Sequence, residues 1–274
     1  MTGVLQFTTA DGVRLDYEIE GQGAPVLWQH GLGATAAQPA EVFPKDAGLQ
    51  RITLLCRGHG GSSLGPLSRL SIRQFANDAV ALLDHLKIGT AAVGGISLGA
   101  AIAMNVAALR PGRVSKLMLA RPAWIDVPAP QTMELYSVIS RLLAAHGEND
   151  GLHQFQNMPE YLALRSTSPD NASSLVSFFT RPRPETTIAL LSTIPLDGPG
   201  VTRLEMAALK VPTLVIGNGQ DHVHPLSYAK ALAAIIPAAQ YHEITSKSVD
   251  KRSYLAEFRE TLTAFLRADG GRKI

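Results

Sequence analysis

The chain has 274 residues, 46% of them hydrophobic and 18% charged, with a formal net charge of +2. That is enough to bury the core of one large domain with an insertion, and too little charge to argue for nucleic acid or an anionic membrane as partner. The single cysteine, Cys56, excludes an internal disulfide and fits a reducing compartment. Residues Met1–Phe7 lack a basic segment followed by an apolar run, so a cytoplasmic location is expected.

Residues 3–9 and 13–20 alternate apolar and polar around Ala10-Asp11-Gly12, which predicts a β-hairpin. Two short apolar runs follow. Ala24–Gln29 ends in His30-Gly31-Leu32-Gly33, and Arg51–Cys56 ends in Arg57-Gly58-His59-Gly60-Gly61-Ser62-Ser63. Apolar runs that each close on glycine are what parallel strands covered by helices look like. Ser71-x-x-Gln74 opens a helix as a capping box, and Ile72, Phe75, Ala76, Ala79, Val80, Leu83 and Leu86 give it one apolar face.

No charge falls between Ala91 and Leu109, a pattern that suggests a membrane span. Gly94, Gly95 and Gly99 argue against one continuous helix, because glycine is a poor helix interior. A strand through Ile96, a sharp turn at Ser97 and a following helix account for the stretch better. Val114–Ala120 is the next strand, so strand and helix alternate, as in a parallel, doubly wound sheet.

That alternation stops at Arg121-Pro122. Residues 123–200 read as helical and punctuated by proline, with helices predicted over Gln131–His146, Met158–Leu164, Ala172–Thr180 and Glu185–Thr193. The rhythm returns with a helix over Thr202–Leu209 and a strand over Val211–Gly217. A helix face at Tyr228–Ile236, a strand at Gln240–Thr245 and a closing helix marked by Leu255–Leu266 complete the chain. The expected organisation is an α/β core of residues 1–122 and 201–274 with a helical cap of residues 123–200 over the strand ends.

The segment Gly95-Ile96-Ser97-Leu98-Gly99, in this setting, resembles the nucleophile turn of the α/β-hydrolase family. The resemblance covers essentially the whole chain, with the cap its least specific part. Within the family, Arg57-Gly58-His59-Gly60 and Leu98-Gly99 look most like small esterases and lactonases such as 3-oxoadipate enol-lactonases. It implies a mostly parallel α/β-hydrolase fold and acyl chemistry on a small ester or lactone, possibly carboxylated.

In open α/β sheets ligands bind beyond the carboxyl ends of the strands, where Ser97, His30–Gly33, Arg57–Ser62 and Asp221 all fall. The Leu98 N–H, at a helix start, is a candidate oxyanion donor; the resemblance supplies the Leu32 N–H as the second. Asp221, in Gly217–Pro225 after a strand, resembles the acid that orients the catalytic histidine. Its alternative is an ordinary turn or helix cap. Arg121 follows a strand end with Trp124 nearby, which suits an anchor for a substrate carboxylate or a junction arginine. With His30 these form the substrate-binding candidates, although His30 and His59 also sit in turn motifs where histidines brace loops. Arg57 is a rival anchor or a brace, and Cys56 reads as a small buried hydrophobe.

The family's histidine lies about 28 residues past its acid; that position here is Val249, and no histidine follows His242. A serine hydroxyl is a weak nucleophile without a base. Losing the histidine of a serine hydrolase costs about 10⁶ in turnover. His242 falls inside the last strand, about 10 Å below the sheet edge. His222 and His224 lie on the acid loop at the correct edge, either as solvated loop residues or as a substitute base. With only Asp221 beside them they are too few for a metal site, and the glycine spacing at 94–99 implies no dinucleotide cofactor. His146 and His153 have no assignable place. Three readings stay open: a hydrolase using Ser97, Asp221 and His222 or His224; a catalytically impaired ligand-binding protein on the same fold; or a chain whose histidine has been replaced by Val249. Oligomeric state is not legible.

Overall fold

The computed structural model describes residues 3–45, 48–237 and 239–268. Eight strands form one sheet in the order β1-β2-β4-β3-β5-β6-β7-β8. They are β1 (Leu5–Thr8), β2 (Arg14–Gly21), β3 (Ala24–Gln29), β4 (Leu49–Leu54), β5 (Ala91–Ile96), β6 (Val114–Ala120), β7 (Thr213–Asn218) and β8 (Ala239–Ile244). The β1–β2 hairpin is antiparallel and joins β4 antiparallel. All other pairings are parallel. The order of strands reverses at β3, and that is where an open sheet leaves a crevice at its carboxyl edge.

Side-chain alternation along the strands divides the core into two layers. Leu27, Ile52, Leu54, Val93, Leu117, Leu119 and Val215 face one side, with α2 (Ile72–His85), α3 (Leu98–Leu109) and α9 (Leu226–Ile235). Val26, Trp28, Ile96, Met118, Leu214 and Ile216 face the other, against α10 (Lys251–Arg267) and the end of α1 (Ala37–Val42). Ser71 caps α2, its side chain accepting from Gln74 N at 3.1 Å.

The charge-free stretch is β5, Ser97 and the twelve-residue α3, buried through Ala107, and no helix among the described residues is long and apolar enough to cross a membrane. All three of its glycines are required by contact: a Cβ on Gly94 would meet Met118 O and the Trp28 ring. A Cβ on Gly95 would meet Gln29 O and the backbone of Gly99, and one on Gly99 would overlap Gln29 O.

Between β6 and β7 the described residues are helical and contain no strand. This segment holds α4 (Glu134–Gln156), α5 (Pro159–Thr167), α6 (Pro169–Val176), α7 (Pro184–Thr193) and the short α8 (Arg203–Ala207). Helix α4 runs past the expected end at His146 because it bends at Gly147 (φ 72°, ψ −166°) and resumes to Gln156. Helix α1 has no counterpart in the sequence reading: six residues containing Pro39 give no legible apolar period.

Candidate active site

Ser97 joins β5 to α3 with φ 57° and ψ −111°, a conformation costly for a residue with a Cβ. Its N–H is fixed by Ala120 O at 2.9 Å, and its hydroxyl is not spent on capping α3. The turn therefore presents the side chain at the carboxyl edge of the central strand. It opens into a cavity of about 280 Å³ lined by Gly31, Leu32, Ile96, Arg121, Tyr136, Asp170, Asn171, His224 and Lys247, among others.

The two oxyanion candidates sit on structures that would fix them. Leu98 begins α3, so its N–H has no acceptor one turn earlier. Leu32 lies in the turn after β3, whose flanking amides are both taken. Gly31 N donates to Gln38 Oε1 at 2.7 Å, and Gly33 N to His59 Nε2 at 2.8 Å.

Asp221 and His224 meet on the loop after β7. Asp221 Oδ1 accepts from His224 N at 3.2 Å and lies 2.8 Å from His224 Nδ1. A carboxylate at that nitrogen keeps the proton on Nδ1 and leaves Nε2 as the basic lone pair. His224 Nε2 is buried and, among the described residues, has no hydrogen-bond partner, in a residue whose side chain is 9% exposed. Burial pushes the His224 ring toward the neutral form; Asp221 opposes this and Arg121 reinforces it, so its pKa falls below the ordinary imidazole value. Burial would raise the Asp221 carboxyl, but Arg121 and then His224 outweigh it and hold it well below the usual range.

Helix α6 secures this loop from the helical segment. His222 N donates to Ser168 Oγ at 3.2 Å and Val223 N to Asn171 Oδ1 at 3.0 Å. Asp170 lies 3.0 Å from Lys247 Nζ, on the loop after β8, and 3.7 Å from Arg121 Nη2.

Several expected neighbours are elsewhere or otherwise engaged. Arg121 reaches the cavity, and its Nε donates to Asp221 Oδ2 at 2.7 Å, its Nη1 to Tyr254 Oη at 3.5 Å, so its guanidinium braces Asp221 from within the cavity wall. Trp124 lies away from Ser97, in a small pocket with Ala100 and Leu232, and donates Nε1 to Asp197 O at 2.9 Å. His30 is fully buried, with Nε2 accepting from Cys56 N at 3.1 Å and Nδ1 2.8 Å from Gly31 O, which makes it a brace of two turns. His222 turns outward into a separate cavity with Gln131 and Met158. Val249 is 65% exposed, outside the Ser97 cavity, and His242 is exposed on β8. Arg57 is bidentate with Asp78 at 2.7 and 2.9 Å and also engages Asp11, so it is a brace. Cys56 is buried, and burial pushes its thiol up.

The alpha/beta hydrolase fold model matches residues 24–246. The chain belongs to the α/β-hydrolase family. This hydrolase is 27% identical over 244 residues to the 2-hydroxymuconate semialdehyde hydrolase of Pseudomonas sp. (strain CF600), covering 85% of this chain and 83% of that one. Solved folds similar to it include a hydrolase from Pseudomonas aeruginosa PA01, with TM-score 0.73, 23% identity and coverage of 97% and 99% of the two chains. The enol-lactonase from Burkholderia xenovorans LB400 superposes with TM-score 0.68 at 23% identity, over 96% and 99%.

Asp170, Lys247, Tyr136 and Asn171 were missed by sequence reasoning. They come from the helical segment and the loop after β8, where the sequence has no motif. The one available signal was Ser168-Pro169-Asp170, a helix start rich in side-chain acceptors.

Proposed function

We propose that this hydrolase cleaves a small ester or lactone through an acyl intermediate on Ser97, with His224 as base and Asp221 as its orienting acid, beneath a cap formed by residues 123–200. One observation carries the reading: His224, its Nδ1 held by Asp221 and its Nε2 unpartnered among the described residues, lines the same cavity as the strained serine.

In this reading His224 Nε2 takes the Ser97 proton as Oγ adds to the carbonyl carbon. The N–H groups of Leu32 and Leu98 receive the negative oxygen of the tetrahedral intermediate. Imidazolium returns its proton to the departing alkoxide, and the C–O bond breaks. Water then attacks the acyl-serine with His224 again as base, releasing the acid and restoring the hydroxyl. Asp221, kept ionised by Arg121, stabilises the imidazolium in both halves. The base has moved from the tail loop to the acid loop, three residues from its acid, and this accounts for Val249.

The test is turnover of aryl esters and lactones by wild type, Ser97→Ala and His224→Ala. Losses of about 10⁴–10⁶ in kcat for both variants support the reading. Unchanged turnover in either removes that residue from its role. Binding of these compounds without turnover by wild type favours the ligand-binding alternative.

A further inference from the structure

A second cavity, of about 450 Å³, adjoins the Ser97 cavity, and Gln38 and Ser177 line both. Its wall includes Gly33, Phe178, Thr187, Leu190 and two arginines and, among the described residues, no acidic one. Arg183 is accounted for: its guanidinium donates to the carbonyls of Ser62, Gly58 and Gly60 and ties the segment to the turn after β4.

Arg181 is different. Among the described residues it has no carboxylate and no hydrogen-bond partner, and its Nε is buried with nothing to donate to. The guanidinium stacks on Phe178, 4.2 Å from the ring centroid, a contact that orients the fork but leaves its N–H groups unused. It presses against Gly33, where any Cβ would overlap Nη1, and so lies beside the turn that carries the Leu32 N–H. Of the titratable groups near it, burial holds His30 and His59 neutral and pushes the Tyr136 phenol up, so none supplies a negative charge at neutral pH. Burial without a counter-charge brings the Arg181 pKa down to about 10, still fully ionised at neutral pH. A half-buried cation with an empty donor set beside a cavity without acids is a site for a ligand that brings the negative charge itself.

We infer that Arg181 binds the free carboxylate of the substrate, so the reaction takes half-esters of dicarboxylic acids or lactones bearing a carboxylate. This rests on the acyl chemistry proposed for Ser97 and adds its substrate class. Leu32 lines the Ser97 cavity and Gly33 the second, so neighbouring residues of one turn carry the proposed oxyanion donor and the wall against which Arg181 packs. The planar fork matches a carboxylate bidentately, and the apolar walls of Leu190 and Leu191 suit a methylene spacer.

The experiment compares ethyl hydrogen glutarate with ethyl pentanoate in wild type, Arg181→Gln and Arg181→Lys, and measures glutarate binding to each by calorimetry. Wild type is expected to favour the half-ester in kcat/KM by about tenfold or more. Arg181→Gln should collapse that ratio, chiefly through KM, and abolish glutarate binding, with Arg181→Lys in between. An unchanged ratio in Arg181→Gln, or glutarate binding equal to wild type in a variant that keeps its thermal transition, overturns the assignment. If wild type hydrolyses ethyl pentanoate through Ser97 without preferring the half-ester, the subsite fails and the acyl chemistry stands. If neither ester turns over but glutarate binds and Arg181→Gln loses it, the chemistry fails and the subsite stands. Glutarate that wild type does not bind at all overturns the subsite.

Discussion

Arg121 Nε donates to Asp221 Oδ2 at 2.7 Å from a backbone with φ 46°, leaving Oδ1 for His224 Nδ1 at 2.8 Å. One carboxylate thus serves a permanent cation and a titrating one. Removing the arginine leaves the acid buried and its charge half-compensated. Arg121→Met is expected to cost about 3 kcal/mol or more of stability, read by urea unfolding. It should also move the acid limb of kcat/KM to higher pH, because a cation that disfavours imidazolium is gone. A limb that stays in place would mean Arg121 acts on the fold alone.

The position of the base makes a separate claim. Val249 is exposed and outside the cavity, so placing a histidine there adds no proton acceptor at Ser97. His224→Gln is expected to lose about 10⁴-fold or more in kcat, and His224→Gln with Val249→His to recover none of it. Recovery in the double variant would return the base to the tail loop.

Stability should fall with acidity earlier than carboxylate titration alone would cause. Burial holds His30 at about 4, and lowers His59 and His224, relative to 6.5 in the unfolded chain. Between those values the unfolded chain binds protons that the folded protein does not, so stability rises with pH across this window. His30 alone accounts for a loss of about 3 kcal/mol from pH 7 to pH 4. Urea midpoints measured at pH 7, 6 and 5 should drop steadily; a flat profile over that range contradicts the buried neutral pair.

The turn at Ser97 tolerates no added atoms. Gly99→Ala places a methyl group onto Gln29 O, and a loss of more than about 2 kcal/mol is expected. Thermal unfolding checks it, and an unchanged midpoint would mean β3 can yield at Gln29.

Much of this was legible because the informative residues are local. Glycines 95 and 99 around Ser97, the strand ends at His30 and Arg57, and the Asp221 loop all announce themselves by spacing within ten residues. The Asp221–His224 pair was within reach too, since both lie on one turn, but nothing in the text distinguished His224 from His222. Asn171 and Ser168, 52 and 54 residues upstream, hold the loop on which His224 lines the Ser97 cavity and His222 a separate one. The Asp221 partner of Arg121 was out of reach for the same reason. A strand-end arginine is placed by its strand, yet its partner is 100 residues later on another one.

The central claim is that His224 activates Ser97, and covalent labelling reads it most directly. Wild type, His224→Gln and Ser97→Ala are incubated with an aryl phosphonate ester, and the modified residue and its rate are followed by peptide mass spectrometry. The account predicts a phosphonyl group on Ser97 in wild type, formed about 10³-fold or more slowly in His224→Gln and absent in Ser97→Ala. Labelling of Ser97 at the wild-type rate in His224→Gln would contradict it.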